Sequence, residues 1–331
     1  MKSGVLKQDG DERILVRRGN NRWLSALILS ALFVCGLASA QSLYKYRGAN
    51  GEWIYADRPP AGETRVERRS VSLQTESGRV SVTDEYTGTS LVFTANNRFH
   101  APVEVMLDFD SIDGAEYPDP DHNLRWVVPA LGEQVILELA VLDPVVVPSV
   151  EYRYVYLPGD PEVQPTEGIT YRAPFAVGAS HAVTQAYPDS VTHLTRDSMY
   201  AVDFDLPVGT NVVAARDGIV FEIASTNLRG APRDRGHAEL ANLVRILHDD
   251  GTYAVYAHLN RSTVRVSPGD RVSAGQYIAD SGSSGSVLGP HLHFAVQFNK
   301  GMRVESLPVT FRGAGNARLT PSTGSSVTAH P

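Results

Sequence analysis

Apolar residues recur at every second position through the first half of this chain. The stretches 70–73, 79–83, 90–94, 103–107, 125–128, 134–139 and 151–157 all show this alternation. A period of two sends successive side chains to opposite faces, which suits a half-buried strand and not a helix. Turn-forming clusters separate the runs, among them Asp113-Gly114 and the Pro-Asp-Pro-Asp stretch from Pro118. About seven strands at this spacing predict a β-sandwich-like domain over residues 65–157. The whole chain therefore reads as mainly β. Glycines (28) and prolines (20) are plentiful in its 331 residues, as frequent turns require.

The flanks of that domain read differently. Residues 41–62 hold two aromatic-rich runs around Gly48-Ala49-Asn50-Gly51, the pattern of a small β-hairpin module. Residues 158–168 carry Pro158, Pro161 and Pro165 and read as a linker to a second domain, 169–312. Residues 313–331 are small and polar and are expected to be a disordered tail, with His330 inert. Residues 1–40 read as a targeting segment. Six basic residues lead into the apolar run 23–37, followed by Ala38-Ser39-Ala40. This is a signal peptide cleaved after Ala40, or an uncleaved membrane anchor. Export to the periplasm or cell envelope follows, and the membrane is a partner only if the segment is retained.

Composition narrows the chemistry. Cys35 is the only cysteine and lies in the targeting segment. The exported chain thus lacks disulfides, thiolate catalysis and cysteine-held zinc, so any metal is held by His, Asp or Glu. The formal charge is −7, and about −10 without residues 1–40, which argues against a nucleic-acid partner.

Seven of the ten histidines lie between His181 and His293. His291 and His293 follow a Gly/Ser loop starting at Gly282 and open an apolar strand, where a spacing of two puts both imidazoles on one face. Asp203 ends a short apolar run, a place for a hard oxygen ligand. His193 lies ten residues upstream across a polar loop long enough to fold back. His258 ends the second strand of a hairpin turning at Asp250-Gly251, where it could face the His291/His293 strand. Gln185 lies in a stretch that borders the same groove. His248 and His237 read as turn or surface residues, and His100 and His122 as solvated.

Taken together, residues 171–308 resemble the lysostaphin-type, or LytM-like, zinc endopeptidases that cut peptide cross-links of bacterial cell walls. The resemblance rests on the blocks around His193, Asp203, His258 and the Gly282–His293 loop and strand, with the stretch 266–279 between them, in family order. It implies an antiparallel β-sheet peptidase domain with few helices, one Zn2+ held by His193, Asp203 and His293, and His258 and His291 as catalytic residues. Three protein ligands leave zinc an open position, the mark of a catalytic site. The substrate implied is the peptide stems of peptidoglycan. The alternative is an inactive LytM-like domain that binds peptidoglycan or activates a partner amidase. The sequence departs from the family pattern at two points. The commonest spacing places the ligand His four residues before the Asp, where this chain has Met199; His193 fits a branch with a longer insert, with His181 as the rival. Many members carry Glu after His-Leu-His-Phe, where this chain has Ala295, a position that is not a ligand.

Overall fold

The computed structural model describes residues 2–8, 11–18, 41–47, 53–56, 67–71, 79–118, 123–143, 148–227, 241–285, 287 and 289–331. Among them the regular secondary structure is almost all antiparallel strand, with one 3-10 turn at Ala314–Asn316. No helix among the described residues is long and apolar enough to cross a membrane.

Strands β1 (Lys2–Gln8) and β2 (Asp11–Arg18) pair as an antiparallel hairpin. The sequence reading left these residues out of the fold. The signal it passed over is Asp9-Gly10, a two-residue turn dipeptide between two runs containing β-branched residues. The apolar run 23–37 and the Ala38-Ser39-Ala40 motif lie outside the described residues. Next come β3 (Gln41–Arg47), β4 (Trp53–Ala56) and β5 (Glu67–Val71), a three-stranded sheet in the order β4-β3-β5. The run at 70–73, expected in the sandwich, instead begins within β5 and extends the hairpin module.

The sandwich is built from β6 (Val80–Tyr86), β7 (Ser90–Asn97), β8 (Val103–Asp113), β9 (Arg125–Val128), β10 (Glu133–Ala140) and β11 (Ser149–Pro158). One sheet runs β10-β7-β6; the other runs β1-β2-β11-β8-β9. Alternation does here what the sequence predicts. Leu91, Phe93 and Ala95 of β7 point inward, and Phe93 meets Phe109 and Tyr152 edge-on at 5.4 and 5.3 Å.

The second domain is organised by a nine-stranded antiparallel sheet. Its strands are β12 (Ser180–Gln185), β13 (Val202–Phe204), β15 (Gly218–Ala224), β16 (Leu243–Leu247), β17 (Tyr253–Ala257), β18 (Arg271–Val272), β20 (Leu292–Asn299), β21 (Val304–Leu307) and β24 (Ser326–Thr328). The order is β18-β15-β16-β17-β20-β13-β12-β24, with β21 also on β20. Two small pairs lie beside it: β14 (Asn211–Val213) with β19 (Tyr277–Asp280), and β22 (Phe311–Arg312) with β23 (Arg318–Leu319). One face of the large sheet, carrying Phe204, Tyr256, Leu292, Phe294 and Val296, closes over this domain's own core.

The other face is shared. Tyr253, Val255, Ala257 and Ala295 join the sandwich residues in one continuous apolar core. Polar contacts reinforce it: buried Glu104 accepts from Asn299 Nδ2 at 2.8 Å and from the Met302 amide at 2.6 Å. Because β20 alternates, this is also the face that presents His291 and His293. The segment 158–168 is tied on both sides. Its Gly159 amide bonds Pro102 O at 2.8 Å, and the Thr166 amide bonds Asp250 Oδ2 at 3.3 Å.

Residues 313–331, expected to be disordered, are ordered onto the sheet. β24 pairs with β12, and Val327 and Ala329 are fully buried. Composition averages over the segment, but an edge strand needs only a few inward side chains, because its backbone bonds come from the strand it joins.

Candidate metal centre

Asp203 sits in the middle strand of three. In register, β13 places it directly opposite His293 on β20 and opposite Gln185 on β12. Directly paired residues share a face, so one row across the sheet holds an amide, a carboxylate and an imidazole. Asp203 is only 2% exposed. Its Oδ1 is 2.9 Å from His293 Nδ1, and its Oδ2 is 3.2 Å from His193 Nε2. Burial disfavours the charged carboxylate. The hydrogen bonds and charge of His193 and His293 outweigh that and hold the group far below the usual carboxylate range.

His193 arrives from the loop between β12 and β13. It is 6% exposed, and its ring centroid lies 4.9 Å from that of His293. His193 Nδ1 is buried without a partner among the described residues. One ligand atom from each of His193, Asp203 and His293 can be chosen so that all lie within 4.8 Å of one another. Two imidazoles and a carboxylate, buried or half-buried and, among the described residues, with no Lys or Arg bonded to the carboxylate, form a donor set that suits a divalent cation such as zinc. The residues therefore fit the expected metal.

His258 and His291 stand beside this cluster. His258 directly follows β17 in the left-handed region, φ 63°, an uncommon conformation for a residue with a Cβ. It turns the imidazole out of the strand and toward His291, centroid to centroid 4.6 Å, with His293 at 5.9 Å. His258 Nδ1 is 2.8 Å from Ser284 O, and His291 Nδ1 is 2.9 Å from Gly289 O. A carbonyl only accepts, so each Nδ1 carries a proton, and in the neutral ring it is Nε2 that holds the lone pair. His291 Nε2 lies 3.8 Å from Asp203 Oδ2. Burial, then the charges of His291 and His293, push His258 down to about 3. Ser284 is itself held in place. Ser284 Oγ donates to Leu259 O at 2.8 Å and accepts from the Asn242 amide at 2.9 Å. At Gly282 a side chain is impossible, since a Cβ would lie 2.5 Å from the Asn260 nitrogen.

The rival ligand, His181, is elsewhere. It lies on β12 four residues before Gln185, packs edge-on against Phe175 at 4.7 Å, and has Nδ1 3.1 Å from Asp205 O. His248 does follow a strand at a turn, but it is 3% exposed and not on the surface. The ring of His100 packs over Gly269, where a Cβ would meet its Cε1 at 2.6 Å. His122 and His237 lie outside the described residues. Gln185 does more than border a groove: Nε2 donates to Asp203 Oδ2 at 2.7 Å.

An antiparallel β-sheet whose adjacent strands set Asp203 beside His293, with His193 folded in from a loop and two further imidazoles alongside, defines a metallopeptidase-like domain. Residues 197–305 match the model of Peptidase family M23, so the resemblance seen in the sequence holds for this segment. Over 96 residues the chain is 42% identical to the Glycyl-glycine endopeptidase ALE-1 of Staphylococcus capitis, covering 29% of this chain and 23% of that one. Over 121 residues it is 35% identical to the Peptidoglycan DD-endopeptidase ShyC of Vibrio cholerae, covering 36% and 25%. The chain thus spans about a quarter of the length of these curated relatives. Among solved structures it is similar to the catalytic domain of the antimicrobial peptidase lysostaphin from Staphylococcus simulans, with 28% identity and a TM-score of 0.27. That match covers 38% of this chain and 87% of that one.

Proposed function

We propose that this protein is an exported zinc metalloendopeptidase that hydrolyses peptide cross-links of peptidoglycan. The observation that carries the reading is the cluster around Asp203. Its three ligand atoms lie within 4.8 Å, and two further imidazoles, each held through Nδ1 by a backbone carbonyl, stand beside them. His193, Asp203 and His293 hold the ion, which when bound supplies Lewis acidity toward a carbonyl and toward water. His258 and His291 handle the protons. Either Nε2 accepts a proton from the attacking water, and the proton gained there is returned to the amine nitrogen freed when the peptide C–N bond breaks. The carbonyl oxygens of Ser284 and Gly289 hold the two rings in the tautomer this requires.

Residues 1–40 carry the protein out of the cytoplasm, and cleavage after Ala40 removes β1 and β2 while leaving β6 to β11 of the sandwich. It works in the periplasm or cell envelope, or on the inner membrane facing the periplasm if the segment stays attached. The envelope setting favours D-alanyl–diaminopimelate cross-links over pentaglycine bridges. The test is to load the full exported chain with zinc, confirm one ion per chain, and incubate it with purified cell walls. Mass spectrometry should show newly cut cross-links. A zinc-loaded protein that releases no peptide from any wall type would exclude the enzyme and leave the binding or activating alternative.

A further inference from the structure

We infer that Gln185 is a positioning residue of the metal centre, locking the carboxylate of Asp203 and the loop that carries His193 into one arrangement. The inference rests on the metal-centre reading above. Gln185 Nε2 has two hydrogens, with two acceptors in reach: Asp203 Oδ2 at 2.7 Å and Thr192 Oγ1 at 2.9 Å. Its Oε1 accepts the backbone amides of Val191 and Thr192, both at 2.9 Å. The amide cannot be turned over. That would set oxygen against the Asp203 oxygen and NH2 against two N–H donors.

The loop needs this anchor because little apolar packing holds it beside His193. Val191 is 73% exposed and Leu194 is 76% exposed, so these apolar neighbours of His193 gain little from burial. His193 itself points inward at 6%. The two amides held by Gln185 immediately precede His193 in the chain, so Gln185 joins the two ligands supplied by the N-terminal block. At the carboxylate, Oδ2 is held by Gln185 while Oδ1 faces His293. The rotation of the carboxylate is thereby set before any ion arrives. Hydrogen-bond partners that orient ligands in this way typically change metal affinity by about 10- to 100-fold.

The test compares zinc affinity, by competition with a chromogenic chelator, for the full exported chain and two variants. Gln185→Met keeps the volume and loses every hydrogen bond of the amide. Gln185→Glu keeps the acceptor for the loop amides and sets a carboxylate against Asp203. Both should bind zinc about 10- to 100-fold more weakly than wild type. The cobalt-substituted visible spectrum should also broaden or shift, which a loss of general stability alone would not produce. Affinity within twofold of wild type in either folded variant, with an unchanged cobalt spectrum, overturns the inference and leaves the metal centre standing. A wild-type chain that binds no zinc instead overturns the metal-centre reading, and this inference with it.

Discussion

At the residue scale, ligand and proton-handling roles separate in the same assay. Asp203→Asn weakens the central ligand and should remove stoichiometric zinc, measured by metal analysis after dialysis. His258→Ala should keep the zinc and lose cross-link cleavage by about 10²- to 10⁴-fold. His248 is a different case, lying at the far end of β16 from the metal. Its Nδ1 donates to Asp217 O at 2.8 Å, and burial pushes it down to about 4 from an ordinary 6.5. Between those values the unfolded chain binds a proton that the folded chain refuses. The stability is whole above pH 6.5 and is lost progressively as pH falls toward 4, by about 3 kcal/mol. Denaturant unfolding across that range checks the slope, and His248→Gln should flatten it. The sequence made the His291/His293 pair legible, because a spacing of two on a strand fixes the face. It did not reveal that His248 is buried, since an Asp250-Gly251 turn nearby argues for a surface. Nor could it reveal the Gln185–Asp203 bond, which depends on a register set by an irregularity in β12 between Val183 and Gln185.

At the element scale, β12 is the strand on which the N-terminal block depends, and β24 covers its outer edge. The amide of Val183 bonds Ser325 O at 2.8 Å, and the amide of Ala329 bonds Ala179 O at 2.9 Å. Val327 is fully buried, so Val327→Ala should cost about 2 kcal/mol in denaturant unfolding, as large-to-small core changes do. The β architecture of both domains was legible, because alternation and turn dipeptides are local signals. The ordering of residues 313–331 was not, because its cause is a vacant strand edge far away in sequence. The same holds for Glu67–Val71, whose alternation is right for a strand but silent about which strand it pairs with.

At the scale of the whole molecule, the two domains share one apolar core across the face of the sheet that carries the histidines. Ala295, where the resembling enzymes often carry Glu, lies wholly beneath the sandwich. A carboxylate there would be buried without a partner, so Ala295→Glu should cost about 3 kcal/mol or more. It should also loosen the two domains, seen as new proteolytic cleavage between residues 158 and 168.

A shared core also makes the metal everyone's ligand. An ion that binds only the folded state stabilises everything that unfolds with it, by an amount set by its free concentration relative to its affinity. All three ligands come from the second domain, yet the survival of the sandwich would follow the supply of zinc. Where the metal is scarce, failure would show as faster proteolysis of strands such as β7 and β8, and the scaffold would be lost together with the metal centre.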